Sequence, residues 1–191
     1  MAMHTELWFP SVIWSAIIHQ IDNKALKHFA YDRKKNDVGR VISNYNGYQS
    51  SDILPGDHPE IDKLVEYLNK EMNACAKQVG LPELEIGNIW LNINPPGAYN
   101  TMHNHVGATL SGVYYVEAEN NQGNIIFQRG DNGEYHIPQY VEDYTYYTST
   151  QATYRCKTGA LYFFPGWLNH SVEGNRSNTD RISISFNYGV I

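Results

Sequence analysis

From residue 86 onward the chain breaks into short segments rich in β-branched and aromatic residues, and this pattern restricts its fold more than any other feature. The segments cover residues 89–94, 108–117, 124–128, 140–147, 160–164 and 181–188, with Gly, Pro and Asn turns between them. Many short strands after a helical prelude predict a mainly β fold with N-terminal helices. Its expected core is a double-stranded β-helix, a cupin-like jelly roll.

The prelude is less regular. Residues 7–18 read as extended and largely apolar, and Asp22 is placed to cap a short helix carrying Leu26 and Phe29. Residues 40–54 are polar and rich in turn formers, which predicts a loop with at most one strand. The clearest helix starts near Pro59 with Asp57 as its cap and carries the stripe Ile61, Leu64, Val65, Leu68, Met72, Cys75, Val79. Gly80 and Pro82 stop it, and Cys75 reads as a small buried hydrophobe. With 191 residues, 42% of them hydrophobic, the chain is expected to form one domain, 1–191. Within it, 1–85 would be a mixed scaffold with a helix near 59–79, and 86–191 the jelly-roll catalytic core.

A formal net charge of -6 argues against nucleic acid as the main partner. Cys75 and Cys156 form no Cys-x-x-Cys pair, so neither a disulfide framework nor a thiolate zinc motif is expected, and a reducing cytoplasm suits the chain. The opening residues lack a basic segment followed by an apolar core, and no apolar run reaches membrane-spanning length. Segment 7–13, if it forms an exposed strand, is a natural homodimer edge.

Three histidines and an arginine stand out against this background. In an extended segment the side chains of His103 and His105 point to the same face, and His170, after an apolar strand and a turn, can close a three-ligand metal face. Arg181 opens a strand in which Arg181, Ser183 and Ser185 share one face and Ile182, Ile184 and Phe186 the other. That polar face suits either solvent or a buried carboxylate, which a guanidinium and a hydroxyl would grip. Tyr115 could add a phenol to such a grip. His4, His19, His28, His58 and His136 are expected to be ordinary surface or hydrogen-bonded residues.

These motifs carry a resemblance. Trp90-Leu91-Asn92, His103-Asn104-His105, Ser111-Gly112-Val113-Tyr114-Tyr115, Phe163-Phe164-Pro165, His170-Ser171-Val172 and Arg181-Ile182-Ser183 are similar to the 2-oxoglutarate and Fe(II)-dependent oxygenases. Within them, the chain resembles a small oxygenase family with His-x-His and Ser-Gly-Val-Tyr-Tyr motifs. The resemblance implies that His103, His105 and His170 ligate Fe(II), with His105 where relatives carry Asp, and that Arg181 anchors the far carboxylate of 2-oxoglutarate. It sets Tyr115 and Ser183 beside that carboxylate and Asn92 or Asn94 toward the co-substrate's other end. The implied reaction couples oxidative decarboxylation of 2-oxoglutarate by dioxygen to oxidation of a small-molecule or peptide substrate whose identity the sequence does not give.

His105 in place of Asp removes a negative charge from the metal, and three imidazoles would also suit zinc. Two other readings therefore stay open. One is a three-histidine jelly-roll metalloenzyme without 2-oxoglutarate, in which Arg181 pairs with a neighbouring acid; the other is a non-enzymatic binding or structural jelly roll. Trp90, Tyr99, Phe127 and Trp167 are candidates for dry pocket walls, and the Tyr-rich stretch 129–157 for a hairpin over the mouth.

Overall fold

The computed structural model describes residues 3–137 and 140–190. Eleven strands and two helices follow one another as β1 (Trp14–Ile17), α1 (Asn23–Asn36), β2 (Asn44–Tyr45), β3 (Tyr48–Gln49), α2 (Pro59–Gln78), β4 (Leu84–Asn94), β5 (Tyr99–His103), β6 (Leu110–Glu117), β7 (Asn124–Gln128), β8 (Gln151–Arg155), β9 (Ala160–Pro165), β10 (His170–Val172) and β11 (Arg181–Val190). They form two antiparallel sheets: six strands in the order β1-β9-β6-β11-β4-β3, and five in the order β2-β5-β10-β7-β8. This is the expected jelly roll. The N-terminal segment is woven into it, since β1 pairs with β9, β2 with β5 and β3 with β4.

Period-two alternation divides the six-stranded sheet into two faces. Ile182, Ile184, Phe186 and Tyr188 join the helices Leu26, Leu64, Leu68 and Met72 in one core, whereas Val113, Tyr115, Tyr162 and Phe164 turn toward the other sheet. Each fully buried Leu, Ile or Met contributes about 1.5–3 kcal/mol relative to exposure, so α2 is held mainly by its stripe. Asn73 of α2 also binds the chain at the head of β4, accepting from the Leu84 N–H (2.8 Å) and donating to its carbonyl (3.0 Å).

Local chemistry explains where expectation and structure part. Asp22 caps α1 as expected, accepting from Lys24 N and Ala25 N. The cap of α2 is His58, whose Nδ1 accepts from Glu60 N (3.1 Å), while Asp57 is engaged by Leu54 N and Arg33 (both 3.0 Å). Ala76 rather than Val79 completes the buried stripe, since α2 ends at Gln78 and Gly80 takes φ +76°.

No strand forms over 140–147. Thr145 and Thr148 bind each other and the local backbone, a turn chemistry that competes with a ladder, and β8 forms later, at Gln151–Arg155. Residues 7–13 form no strand either, and Leu7, Trp8 and Phe9 are exposed. Residues 40–54 hold two short strands rather than one, β2 and β3, which cross from one sheet to the other.

Candidate metal centre

His103 ends β5 and His170 opens β10 directly opposite it. Next along this ladder Val172 pairs with Asn100, so β5 carries one extra residue. A bulge of this kind re-aims side chains, and Asn100 and His103, three apart, line the same cavity. His105 lies beyond the strand, its N–H donating to Gly166 O (2.8 Å) and its carbonyl accepting from Ala108 N (3.2 Å). The turn that follows, from His105 to Ala108, lies beyond the pair. The ring centroids are 5.4 Å (His103–His105), 4.3 Å (His103–His170) and 5.0 Å (His105–His170) apart, and one nitrogen of each ring lies within 4.8 Å of the others.

Hydrogen bonding selects the nitrogen each ring offers. His103 Nδ1 meets Thr101 O (2.8 Å), His170 Nδ1 meets Leu168 O (2.9 Å), and His105 Nδ1 meets Asn187 Oδ1 (2.5 Å) and Ser111 Oγ (2.9 Å). A backbone carbonyl only accepts, so Nδ1 of His103 and of His170 carries the proton and Nε2 keeps its lone pair; with Asn187 Oδ1 as acceptor, His105 takes the same form. Burial disfavours the charged rings: it lowers the pKa of His103, brings His105 to about 4 and His170 to about 3. Three neutral donors suit a divalent transition metal and leave positions open.

Among the described residues no carboxylate joins the cluster. Glu117 pairs with Lys27 (2.6 Å) and Glu173 accepts from Asn124 N (3.0 Å) and Nδ2 (2.7 Å). The other five histidines stay outside it; His58 caps α2 and His28 faces Asp32.

The histidines line a cavity of about 200 Å³ between the sheets. Its floor is a set of cross-strand pairs from β4 and β11: Asn88 with Asn187, Trp90 with Ser185, Asn92 with Ser183, and Asn94 with Arg181. Asn92 Nδ2 donates to Ser185 Oγ (3.2 Å). Arg181 is 1% exposed, and its Nη1 donates to the carbonyls of Gln122 and, at 3.0 Å, of Glu173. No acid pairs with it among the described residues, and its Nη2 is buried with no partner. The Tyr115 hydroxyl, near the Cys156 thiol and this guanidinium, also lacks a well-formed hydrogen bond; burial raises its pKa, so it remains a donor.

Leaving a buried donor unmade costs about 1–3 kcal/mol, more when it is charged. Two such donors in one cavity fit a missing carboxylate, which accepts from both. The site therefore passes two tests: its imidazoles present the right atoms for a metal, and its orphaned donors present the right atoms for an acidic co-substrate.

Of the four proposed wall aromatics only Trp90 lines the cavity. Tyr99 stacks on Tyr45 (centroids 4.8 Å apart), Phe127 belongs to the packed core, and Trp167 is half exposed. Tyr135, Tyr140, Tyr144, Tyr146 and Tyr147 point into solvent, and none lines the cavity. The chain around β2 and β3 instead contributes Arg40, Ile42, Ser43 and Gln49 to the lining. Ser43 and Asn187 were not legible as site residues, since they act on His103 and His105 across 60 and 82 residues; Ser111, six residues from His105, stood in the Ser-Gly-Val-Tyr-Tyr motif without a role. Ser43 Oγ lies 3.5 Å from His103 Nε2 and accepts from Asn100 Nδ2 (3.3 Å).

Comparison with known proteins agrees with this geometry. The profile of a family described as "Putative 2OG-Fe(II) oxygenase" matches residues 88–187. No curated protein matches the sequence. Among solved structures, the chain is similar to a Pseudomonas putida prolyl-4-hydroxylase, with TM-score 0.66 and 14% identity over 95% of this chain and 94% of that one. A viral collagen prolyl hydroxylase from Paramecium Bursaria Chlorella virus-1, solved as a 2OG complex, gives TM-score 0.63 and 14% identity over 93% and 96%. HygX from Streptomyces hygroscopicus, solved with nickel and 2-oxoglutarate, gives TM-score 0.63 and 11% identity over 94% and 83%.

Proposed function

The chain belongs to the 2OG-Fe(II) oxygenase family, and from that premise we propose that His103, His105 and His170 hold its Fe(II) while Arg181 and Tyr115 hold the far carboxylate of its 2-oxoglutarate. The observation that carries this reading is the pair of orphaned buried donors, Arg181 Nη2 and Tyr115 Oη, in the cavity that the three imidazoles line. When bound, iron and 2-oxoglutarate supply the oxidative chemistry with dioxygen.

The protein's own groups prepare the site. Arg181 is held by the Gln122 and Glu173 carbonyls, so its free edge is set before the co-substrate arrives, and little ordering remains to be done on binding. Ser183 and Asn92, paired across β11 and β4, lie next along the floor and would hydrogen-bond the body of the co-substrate. Val113, Ile125, Phe164 and Val172 line the cavity with apolar surface and limit water. Because the ligand rings are neutral, metal enters without displacing ring protons. Substrate would approach past Ile42, Asn100 and Asn104, where carboxamides and an aliphatic edge suit an uncharged polar group.

The test is Fe(II)-dependent conversion of 2-oxoglutarate to succinate by the purified chain in air. Succinate formation that disappears in His170→Ala and needs far more 2-oxoglutarate in Arg181→Met is expected. Turnover indifferent to both substitutions would refute the assignment.

A further inference from the structure

Two of the three imidazoles are oriented by their own backbone. His103 Nδ1 donates to the carbonyl two residues earlier, Thr101 O, and His170 Nδ1 does the same to Leu168 O. His105, past the end of β5, has no such bond, and its Nδ1 is met from other strands, by Asn187 of β11 and Ser111 of β6. We infer that Asn187, seconded by Ser111, is the positioning residue for His105, fixing the tautomer and direction of the imidazole that stands where related sites use a carboxylate. This rests on the metal reading of the histidine cluster.

The bonds form a connected set. Asn187 Oδ1 accepts from His105 Nδ1 (2.5 Å) and from the Ser111 hydroxyl (2.8 Å), while Asn187 Nδ2 donates to Asn88 Oδ1 (2.9 Å). Turning the Asn187 amide alone would set two N–H groups against each other at His105 and two carboxamide oxygens against each other at Asn88. A proton on His105 Nε2 instead would leave Nδ1 and Oδ1 as two facing acceptors. In this arrangement the Nε2 lone pair of His105 is directed at the cluster, the form in which an imidazole ligates a metal. An outer partner of this type typically changes metal affinity about 10–100-fold when removed.

The experiment is anaerobic Co(II) titration of the full chain, read by affinity and by the visible ligand-field spectrum, with circular dichroism of the metal-free protein as a control on folding. Asn187→Leu should weaken binding about 10–100-fold and alter the spectrum, and Ser111→Ala should do so less. Asn187→Asp should restore affinity to wild-type level or above, because a carboxylate accepts the same N–H. Wild-type affinity and spectrum in a folded Asn187→Leu would overturn the inference. Should Asn187→Leu not fold, Asn187→Ala and Ser111→Ala decide: Co(II) spectra and affinities identical to wild type in both would overturn it equally. A wild-type chain that binds no Co(II) would instead remove the metal centre, and the inference with it.

Discussion

His103 and His170 are direct partners in the ladder between β5 and β10, with ring centroids 4.3 Å apart. Their approach is set by backbone pairing, and their Nδ1 atoms are held by backbone carbonyls, so the site is built before any metal arrives.

The chelated protein should therefore stay folded. Added Fe(II) or Co(II) should raise its melting temperature by mass action, as any ligand of the native state does. His170→Ala should fold but lose most of that rise. Thermal melts with and without chelator check this, and loss of β-sheet signal on chelation would contradict a preformed site.

Arg181 and Tyr115 should contribute separately to co-substrate affinity. A hydrogen bond to a charged group is worth about 1.5–3 kcal/mol, so Tyr115→Phe should raise the Kd for 2-oxoglutarate about 10–100-fold. Arg181→Met removes the cation and should cost more, about 2–5 kcal/mol. Calorimetric titration of the metal-loaded, anaerobic protein measures both.

Acid should destabilise the metal-free protein through these rings. In the unfolded chain a histidine titrates near 6.5, whereas burial holds His105 at about 4 and His170 at about 3. Between those limits the unfolded state binds more protons, so stability is fully present above the unfolded value and falls as pH drops toward the folded ones. Denaturant melts at pH 7 and pH 5 should show a smaller loss for His170→Leu than for wild type. Equal losses would contradict the assignment of this pH dependence to the buried cluster.

Much of this arrangement could be read from the chain because it repeats locally. The stripe of α2 and the alternation of β11 follow from residue spacing, and β7 falls where its β-branched run does. The histidines and Arg181 were legible as residue types at motif spacing. What joins them was not: the β5 bulge depends on pairing with β10, and Asn187 reaches His105 across 82 residues. The tyrosines of 140–147 have strand-like composition, yet the Thr145–Thr148 turn takes the backbone first.

Stability and chemistry should separate at α2. Leu68 is fully buried against the far side of the six-stranded sheet from the cavity, so Leu68→Ala should cost about 2–5 kcal/mol. Metal affinity of the folded fraction should be unchanged. Urea melts and Co(II) titration of the same sample check the pair of claims.

The most direct measurement is an anaerobic spectral titration of the chain with Fe(II) and then 2-oxoglutarate. A metal-to-ligand charge-transfer band that needs both additions, vanishes in His170→Ala and requires much more 2-oxoglutarate in Arg181→Met is the expected result. Absence of any band in the wild type at saturating Fe(II) and 2-oxoglutarate, or a band untouched by both substitutions, would contradict the joining of these histidines and this arginine in one centre.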